Sequence, residues 1–184
     1  PHDPRIAASR YAARYDPASI PAPRSLLPFH PFDNGALKIR DETLAAWPRS
    51  EEEIRKHLHD YYAVISALDG HIGRLLDEIR RTGEYDRTII VFSSDNGLAL
   101  GDHGLMGKQN LYEHTWRVPF IVKGPGVAPG SRAPGNVYLG DTLATLCDIC
   151  GIEAPATNEG TSFLPVLRGE KPAVRDVLYG AYSG

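Results

Sequence analysis

The spacing of apolar residues predicts one long amphipathic helix over about residues 50–82. Ser50 followed by Glu53 is a capping-box pattern, and the apolar residues behind it recur at alternating intervals of three and four. These residues are Ile54, Leu58, Tyr61, Ile65, Leu68, Ile72, Leu75 and Ile79. The helix is expected to stop near Gly83, since glycine commonly terminates helices.

Two short apolar runs downstream predict neighbouring β-strands. Residues 88–94 (TIIVFSS) are β-branched and aromatic without alternation, which suits a central strand covered on both faces. Residues 118–122 form the second run, which the segment Lys123-Gly124-Pro125-Gly126 closes. The succession of helices and buried strands predicts an α/β fold, with a mostly parallel central sheet and helices on both faces.

The two ends of the chain are predicted to be less regular. Residues 1–49 carry eight prolines and should form a loop-rich segment that wraps over a surface. The prolines are Pro1, Pro4, Pro17, Pro21, Pro23, Pro28, Pro31 and Pro48. Residues 118–184 are expected to hold a strand, a helix and an irregular tail. In that part Asp141 can cap a helix that runs through Cys150, Gly151 can end it, and residues 177–182 can form a strand.

Composition excludes several classes of function. The 20 basic and 23 acidic residues give a formal net charge of -3, so no long-range field would collect nucleic acid or an anionic membrane. No apolar run reaches the roughly 20 residues that span a bilayer. The cysteines, Cys147 and Cys150, are too few for a disulfide framework and are expected to be small buried side chains. The chain opens at Pro1 rather than Met, so the lack of a signal peptide leaves localisation open.

The residues after the first predicted strand offer candidate chemistry. Asp95 and Asn96 would lie at the carboxyl end of that strand, where ligands collect in open α/β sheets. A carboxylate beside an amide carbonyl provides hard oxygen ligands that suit calcium or magnesium better than zinc. Glycines at 97, 101, 104 and 107 would let the backbone approach a ligand closely, and Lys108 could return a cation to the same place. Taken alone, Asp-Asn-Gly is also an ordinary turn sequence.

Several segments, in order along nearly the whole chain, resemble the sulfatase family. In that family an Asp-Asn-Gly or Asp-His-Gly after a central strand precedes Gly-x-His-Gly and then a lysine, as residues 95–108 do here. The opening segment looks like the family's Pro-His-x-Pro. The other matching segments are Lys108-Gln109-Asn110-Leu111-Tyr112-Glu113, Arg117-Val118-Pro119, Asp60-Tyr61-Tyr62, Ile72-Gly73 and Pro1-His2-Asp3-Pro4-Arg5.

The resemblance implies an alkaline-phosphatase-like fold, a hydrolase of sulfate monoesters, and a calcium ion, with magnesium as the alternative. By position, Asp95 and Asn96 become metal ligands. Lys108 becomes a catalytic cation that also binds the sulfate, and His2 the catalytic histidine near the leaving-group oxygen. His103 either touches substrate at the pocket rim or hydrogen-bonds within its loop. We therefore expect residues 2, 95, 96 and 108 to converge on one cavity that fits a tetrahedral anion.

The chain departs from the family pattern in two ways. The family's nucleophile is a formylglycine made from cysteine in Cys-x-Pro-x-Arg, and neither Cys147 nor Cys150 has the proline and arginine at those offsets. The amino-terminal acidic pair of the metal site is also missing. Residues 1–184 are therefore expected to be part of a sulfatase catalytic domain, inactive without its remainder.

Two other functions are also compatible with the sequence. A phosphonate monoester hydrolase or phosphodiesterase of the same superfamily could bind a similar anion, and a non-catalytic binding or structural fragment could keep the fold without the chemistry. The expected substrate is a sulfated small molecule or a sulfated sugar. The resemblance favours a periplasmic or secreted location over a cytoplasmic one.

The remaining polar residues are expected to be structural. Asp102 should be a solvated loop carboxylate rather than a third metal ligand. Three residues just before the second strand are expected to brace the loop there: Glu113, His114 and Arg117. Three histidines of the long helix are expected to lie on its exposed surface: His57, His59 and His71.

Overall fold

The computed structural model describes residues 2–182 and forms two compact units in that range. The first unit contains residues 2–85 and Asn96–Val118, and the second contains Asp86–Asp95 and Pro119–Ala181. The regular elements, in chain order, are α1 (Ser9–Ala12), α2 (Glu51–Arg81), β1 (Ile90–Ser93), α3 (Glu113–Trp116), β2 (Phe120–Lys123), α4 (Asp141–Cys150) and α5 (Leu164–Leu167). Three short 3-10 turns lie at Pro17–Ser19, Glu42–Leu44 and Tyr85–Arg87.

The long predicted helix corresponds to α2. The Ser50 hydroxyl accepts a hydrogen bond from the Glu53 backbone N–H at 3.2 Å, which satisfies one of the free donors of the first turn. The Glu53 carboxylate bonds the N–H of Ala46 instead of returning to Ser50, so only half of the capping box forms. Gly83 follows the helix with φ +76°, a left-handed conformation that suits glycine.

The core of the first unit lies where α2 meets the preceding segment and the loop after residue 96. Its buried members are Ile20, Ala45, Ile54, Leu58, Leu100 and Met106. The loop-rich amino-terminal segment packs on α2 through polar contacts as well, since the Tyr15 hydroxyl lies 2.6 Å from the Ser66 hydroxyl. Only the first part of the apolar stripe is buried, because Ile65, Leu68 and Leu75 are exposed.

Two histidines of α2 are less exposed than the sequence suggested. His57 and His59 are half-buried, whereas His71 is exposed as predicted. These two histidines are shielded because the amino-terminal segment covers this side of the helix. Arg5 donates to His57 Nδ1 at 3.1 Å, and His59 Nε2 lies 3.1 Å from the carbonyl oxygen of Ala12.

The two strands of the second unit pair with each other. Ile90 is opposite Lys123, Ser93 is opposite Phe120, and the pair is antiparallel. A mostly parallel sheet was predicted; for these two strands the expectation is wrong, because the residues joining them form loops and the four-residue α3 rather than a crossover helix. β1 is also less covered than predicted, since Phe92 is 37% exposed.

The core of the second unit surrounds the start of α4. Asp141 is fully buried and is the first residue of the helix, with Gly140 at the capping position and no side-chain cap. The prediction that Asp141 caps α4 is therefore wrong. Its carboxylate instead accepts hydrogen bonds from Tyr138 N–H, Thr161 N–H and the Arg175 guanidinium. Gly151 ends the helix in the left-handed conformation, as predicted.

Two further expectations for the second unit are corrected. Residues 177–182 form no strand; Tyr179 is held instead by the Tyr138 hydroxyl, which donates to its carbonyl at 3.0 Å. Cys147 is buried as expected, but Cys150 is exposed because it lies on the outer face of the last turn of α4, and both thiols are free. Across residues 2–182, every helix is too short or too polar to cross a lipid bilayer.

Candidate functional site

The predicted metal ligands follow β1 after one intervening residue, Ser94. Asp95 belongs to the second unit and is exposed, whereas Asn96 opens the loop of the first unit and is half-buried. Carboxylate and amide oxygens are the donors that calcium prefers, and the ion takes roughly six to eight of them. Among residues 2–182, no cluster of three or more His, Cys, Asp or Glu side chains could hold a metal ion. The donor chemistry fits calcium, and the ligand role stays a prediction.

The loop after Asn96 folds back on itself as a tight, buried turn. Ala99 N–H donates to the Gly107 carbonyl at 3.0 Å, and Gly101 N–H donates to the Leu105 carbonyl at 2.7 Å. Leu105 and Met106, on its returning side, are buried in the protein. Lys108 is thus the first residue after a tightly bonded turn.

The loop glycines approach the protein itself rather than an open ligand site. At Gly97 a Cβ atom would lie 1.8 Å from the His114 carbonyl oxygen. At Gly104, where φ is +77°, a Cβ atom would lie 2.7 Å from the His30 backbone nitrogen. These glycines allow the loop to pack closely on neighbouring backbone.

His103 has a fixed backbone and a stacked ring. Its φ is +54°, its N–H donates to the Ser25 carbonyl at 2.8 Å, and its own carbonyl accepts from His30 Nδ1 at 2.7 Å. The imidazole stacks on the ring of Tyr112 with centroids 4.0 Å apart. Because the loop hydrogen bonds use the backbone, the ring remains available for a substrate contact, and that contact stays a prediction.

The neighbouring Asp102 is not a solvated carboxylate. Asp102 is half-buried, and its carboxylate accepts a hydrogen bond from the Ser25 hydroxyl. The expectation of a solvated side chain is wrong because residues 25–26 run beside the loop and Leu26 forms a β-bridge with Asp102.

The ring of His114 packs beside the stacked rings of His103 and Tyr112. Its ring lies 5.6 Å from that of Tyr112, and its Nε2 atom is buried without a hydrogen-bond partner. Burial lowers the pKa of His114 below its usual value, and the charge of His103 lowers it further against an opposing effect of Asp102. The predicted bracing pair does form nearby, since Arg117 and Glu113 approach to 3.8 Å on the exposed surface.

Lys108 is half-buried and tied to a neighbouring carboxylate through Gln109. The Lys108 N–H donates to Gln109 Oε1 at 3.0 Å, and Gln109 Nε2 donates to Asp41 Oδ2 at 3.1 Å. Burial raises the pKa of Asp41, but hydrogen bonds from Arg40 and Gln109 and the charges of Arg40 and Lys108 outweigh it and hold the pKa below its usual value.

His2 lies at the start of the described chain and is exposed. Its Nδ1 atom is 2.9 Å from the Asp3 carbonyl oxygen. The convergence of His2, Asp95, Asn96 and Lys108 on one cavity stays a prediction.

Sequence reasoning missed four residues of this region: His30, Asp41, Glu42 and Tyr112. Tyr112 lies inside the segment of residues 108–113 that resembles the sulfatase family, and its aromatic character was the available signal. The other three lie in the proline-rich segment more than 60 residues before the loop they contact, and no local pattern marks them.

The family model described as Sulfatase matches residues 1–152 of this chain. Choline-sulfatase of Rhizobium meliloti is 34% identical over 174 residues, which cover 92% of this chain and 34% of that protein. N-acetylglucosamine-6-O-sulfatase of Bacteroides thetaiotaomicron is 34% identical over 145 residues, 78% of this chain and 25% of that protein. The chain thus spans about a quarter to a third of the length of these relatives.

Among solved structures, the phosphonate monoester hydrolase SpPMH from Silicibacter pomeroyi superposes with a TM-score of 0.79 and 31% identity. The alignment covers 94% of this chain and 36% of that one. The predicted α/β, alkaline-phosphatase-like fold class is therefore confirmed, with the present residues forming a small sheet and helices of it.

Proposed function

The chain belongs to the sulfatase family, and we propose that the complete protein hydrolyses a sulfate monoester with a divalent metal and a formylglycine nucleophile. The observation that carries the proposal is the match of residues 1–152 to the family. That range includes all of the predicted site residues, His2, Asp95, Asn96, His103 and Lys108.

Four of these residues, His2, Asp95, Asn96 and Lys108, have a chemical role in the proposal. Cleavage of a sulfate ester builds negative charge on the leaving-group oxygen, so a proton donor there lowers the barrier, and we assign that donor to His2. Lys108 binds the sulfate oxygens, and Asp95 and Asn96 hold the metal. Bound calcium would offset the negative charge of the sulfate. A fixed cation stabilises the transition state more than the ground state, because the charge grows as the bond breaks.

The rigid loop of the first unit supports the role of Lys108. A catalytic cation must be held in place before the reaction if it is to lower the barrier. The Lys108 N–H bonds Gln109, and the preceding residues 105–107 are buried, so the backbone of Lys108 has little freedom.

The names of two relatives support a proposal for the substrate class. Two relatives at 34% identity are called choline-sulfatase and N-acetylglucosamine-6-O-sulfatase, so we propose a sulfated small molecule or a sulfated sugar. An extracellular sulfatase from Drosophila melanogaster is 38% identical over 61% of this chain, which supports a periplasmic or secreted location.

These 184 residues alone are proposed to have no appreciable sulfatase activity and weak calcium affinity. The Cys-x-Pro-x-Arg motif does not occur in them, and Asp95 and Asn96 supply only part of a calcium shell. We propose that the remainder of a catalytic domain supplies the formylglycine and the other ligands. Turnover of an aryl sulfate by the 184-residue chain itself would contradict this proposal.

A second candidate function is hydrolysis of a phosphonate monoester or a phosphodiester. The similarity to the phosphonate monoester hydrolase SpPMH favours it, since a tetrahedral anion held by a metal and a lysine need not contain sulfur. A third reading is a non-catalytic binding or structural protein.

Parallel assays of the complete protein separate the three. We expect 4-nitrophenyl sulfate to be hydrolysed faster than an aryl phosphonate monoester or bis(4-nitrophenyl) phosphate. We expect His2→Ala, Asp95→Ala and Lys108→Ala each to lower the sulfate rate about 10²-fold or more. The exposed residues Lys171 and His71 provide matched alanine controls. Preference for the phosphorus esters favours the second function, and activity that survives all three substitutions rejects the proposed roles.

A further inference from the structure

Two consecutive carboxylates, Asp41 and Glu42, bond residues on both sides of Lys108: Glu42 accepts from the backbone before it, and Asp41 accepts from the Gln109 side chain after it. We propose that they are positioning residues that fix where the Lys108 ammonium points. The proposal rests on the function proposed above for Lys108, and it assigns Asp41 and Glu42 no contact with substrate.

Glu42 holds the residues immediately before Lys108. Its side chain is buried, Oε2 accepts from the Met106 N–H at 2.9 Å, and Oε1 accepts from the Gly107 N–H at 2.8 Å. Hydrogen bonds to a carboxylate are stronger than those between neutral groups. Because its two oxygens accept from consecutive peptide N–H groups, the carboxylate fixes the backbone conformation of the two residues before Lys108.

Arg49 completes this arrangement from the other side of the loop. It is buried, donates to Glu42 Oε2 at 2.7 Å, and donates through Nε to the Gly104 carbonyl at 3.2 Å. Its guanidinium packs over the Trp47 ring at 3.6 Å. Arg49 and Glu42 therefore bind the same loop at two points while each balances the charge of the other.

Asp41 holds the residue that follows Lys108. Its carboxylate accepts from Gln109 Nε2 at 3.1 Å, and Gln109 Oε1 accepts from the Lys108 N–H at 3.0 Å. The packing here is close, because a Cβ atom at Gly107 would lie 2.7 Å from Gln109 Oε1 and 2.9 Å from Asp41 Cβ. The turn that presents Lys108 is thus enclosed by these side chains.

A buried ion pair costs desolvation free energy, and apolar residues of similar size often stabilise a protein as well or better. Apolar residues could not accept the two N–H groups before Lys108, however, and would leave them unsatisfied. The arrangement is explained if the orientation of this turn matters for the reaction, because small displacements of a catalytic group cost large factors in rate.

A double-mutant cycle in the complete protein tests the proposal. Asp41→Asn and Glu42→Gln are made alone and together with Lys108→Ala, with the exposed Glu170→Gln as control. Each single change is expected to lower kcat/KM for 4-nitrophenyl sulfate about 10-fold or more. In the Lys108→Ala protein the same changes are expected to cause no further loss, because their effect acts through Lys108. Losses of equal size in both backgrounds, or full activity of both single variants, would overturn the proposal.

Glu42→Gln leaves Arg49 without its anion, so circular dichroism and thermal unfolding accompany each assay. If that variant does not fold, Gln109→Ala takes its place, because it breaks the link from Asp41 to Lys108 and leaves the buried ion pair intact. The same coupling to Lys108 is expected, and additive losses again overturn the proposal. A Lys108→Ala protein with full activity contradicts the role proposed above for Lys108, whereas an inactive one with additive losses contradicts only the positioning role of Asp41 and Glu42.

Discussion

The rings of His103 and Tyr112 stack nearly face to face, with centroids 4.0 Å apart and planes inclined by 17°. The backbone of His103 is fixed separately, by the Ser25 carbonyl and by His30. Tyr112 is therefore the group that orients the imidazole, while the loop hydrogen bonds place its Cα atom.

Tyr112→Ala is expected to lower kcat/KM of the complete protein roughly 2-fold to 10-fold, because ring stacking contributes about 0.5–1.5 kcal/mol. Tyr112→Phe should keep the activity, since the stack does not need the hydroxyl. The comparison variant is His103→Ala, measured with the same sulfate ester. If His103→Ala lowers activity and Tyr112→Ala does not, the stack is not needed to orient the imidazole.

Acidification is expected to weaken the fold through His57 and His114. Burial lowers the pKa of both rings below the usual 6.5, and at His57 the charge of Arg5 adds to the effect. The unfolded chain therefore binds more protons just below this pH, and stability must fall as the pH decreases. The loss begins near pH 6.5 and is complete below the folded-state pKa values. The contribution of Asp41 to stability is lost at lower pH, since its pKa lies below the usual 3.8.

Urea denaturation at a series of pH values measures this dependence. We expect His57→Gln and His114→Gln to reduce the decline in the unfolding midpoint between about pH 7.5 and 5. His71→Gln serves as the control, because this histidine is exposed on α2. A midpoint that rises on acidification would contradict the burial of neutral imidazoles.

Local signals predicted the elements of this fold best. The stripe from Ile54 and the cap at Ser50 predicted α2, and the β-branched run at residues 88–94 predicted β1. These patterns act between residues a few positions apart, so one sequence contains them. The pairing direction of β1 and β2 depends on how the intervening chain returns, and no local pattern carries that information.

The candidate site could be predicted only in part. Asp95, Asn96 and Lys108 were predicted as site residues because they lie in one segment that resembles the sulfatase family, and their roles stay predictions. Glu42 was missed, since its bonds to Met106 and Gly107 join residues 64 and 65 positions apart. Asp141 was assigned as a cap because Asp favours that position, but tertiary contacts with Thr161 and Arg175 outweighed the preference.

The second unit is expected to depend on the buried ion pair of Asp141 and Arg175. Asp141 is fully buried, and Arg175 Nη2 donates to its Oδ1 at 2.7 Å. Arg175→Ala should lower the free energy of unfolding by about 3–5 kcal/mol, because it leaves a buried carboxylate without its cation. Urea denaturation measures the change, and the exposed Arg168→Ala should shift it by less than about 1 kcal/mol. Equal effects of the two substitutions would show that the burial of Asp141 does not control stability.

Removal of divalent metal is expected to abolish the sulfatase activity of the complete protein, and added calcium should restore it. Calcium offsets the charge of the sulfate in the proposed mechanism, so hydrolysis should be slow without it. Asp95→Ala and Asn96→Ala should each raise the calcium concentration needed for half-maximal activity about 10-fold or more, since each removes one oxygen ligand. Asp69→Ala is the matched control, because Asp69 is exposed on α2.

Calorimetric titration of calcium into the same variants separates binding from catalysis. Weaker binding by Asp95→Ala and Asn96→Ala, with unchanged binding by Asp69→Ala, is the result expected of metal ligands. If both variants bind calcium as tightly as the unaltered protein, residues 95 and 96 are an ordinary turn after β1, and the metal must be held by other groups.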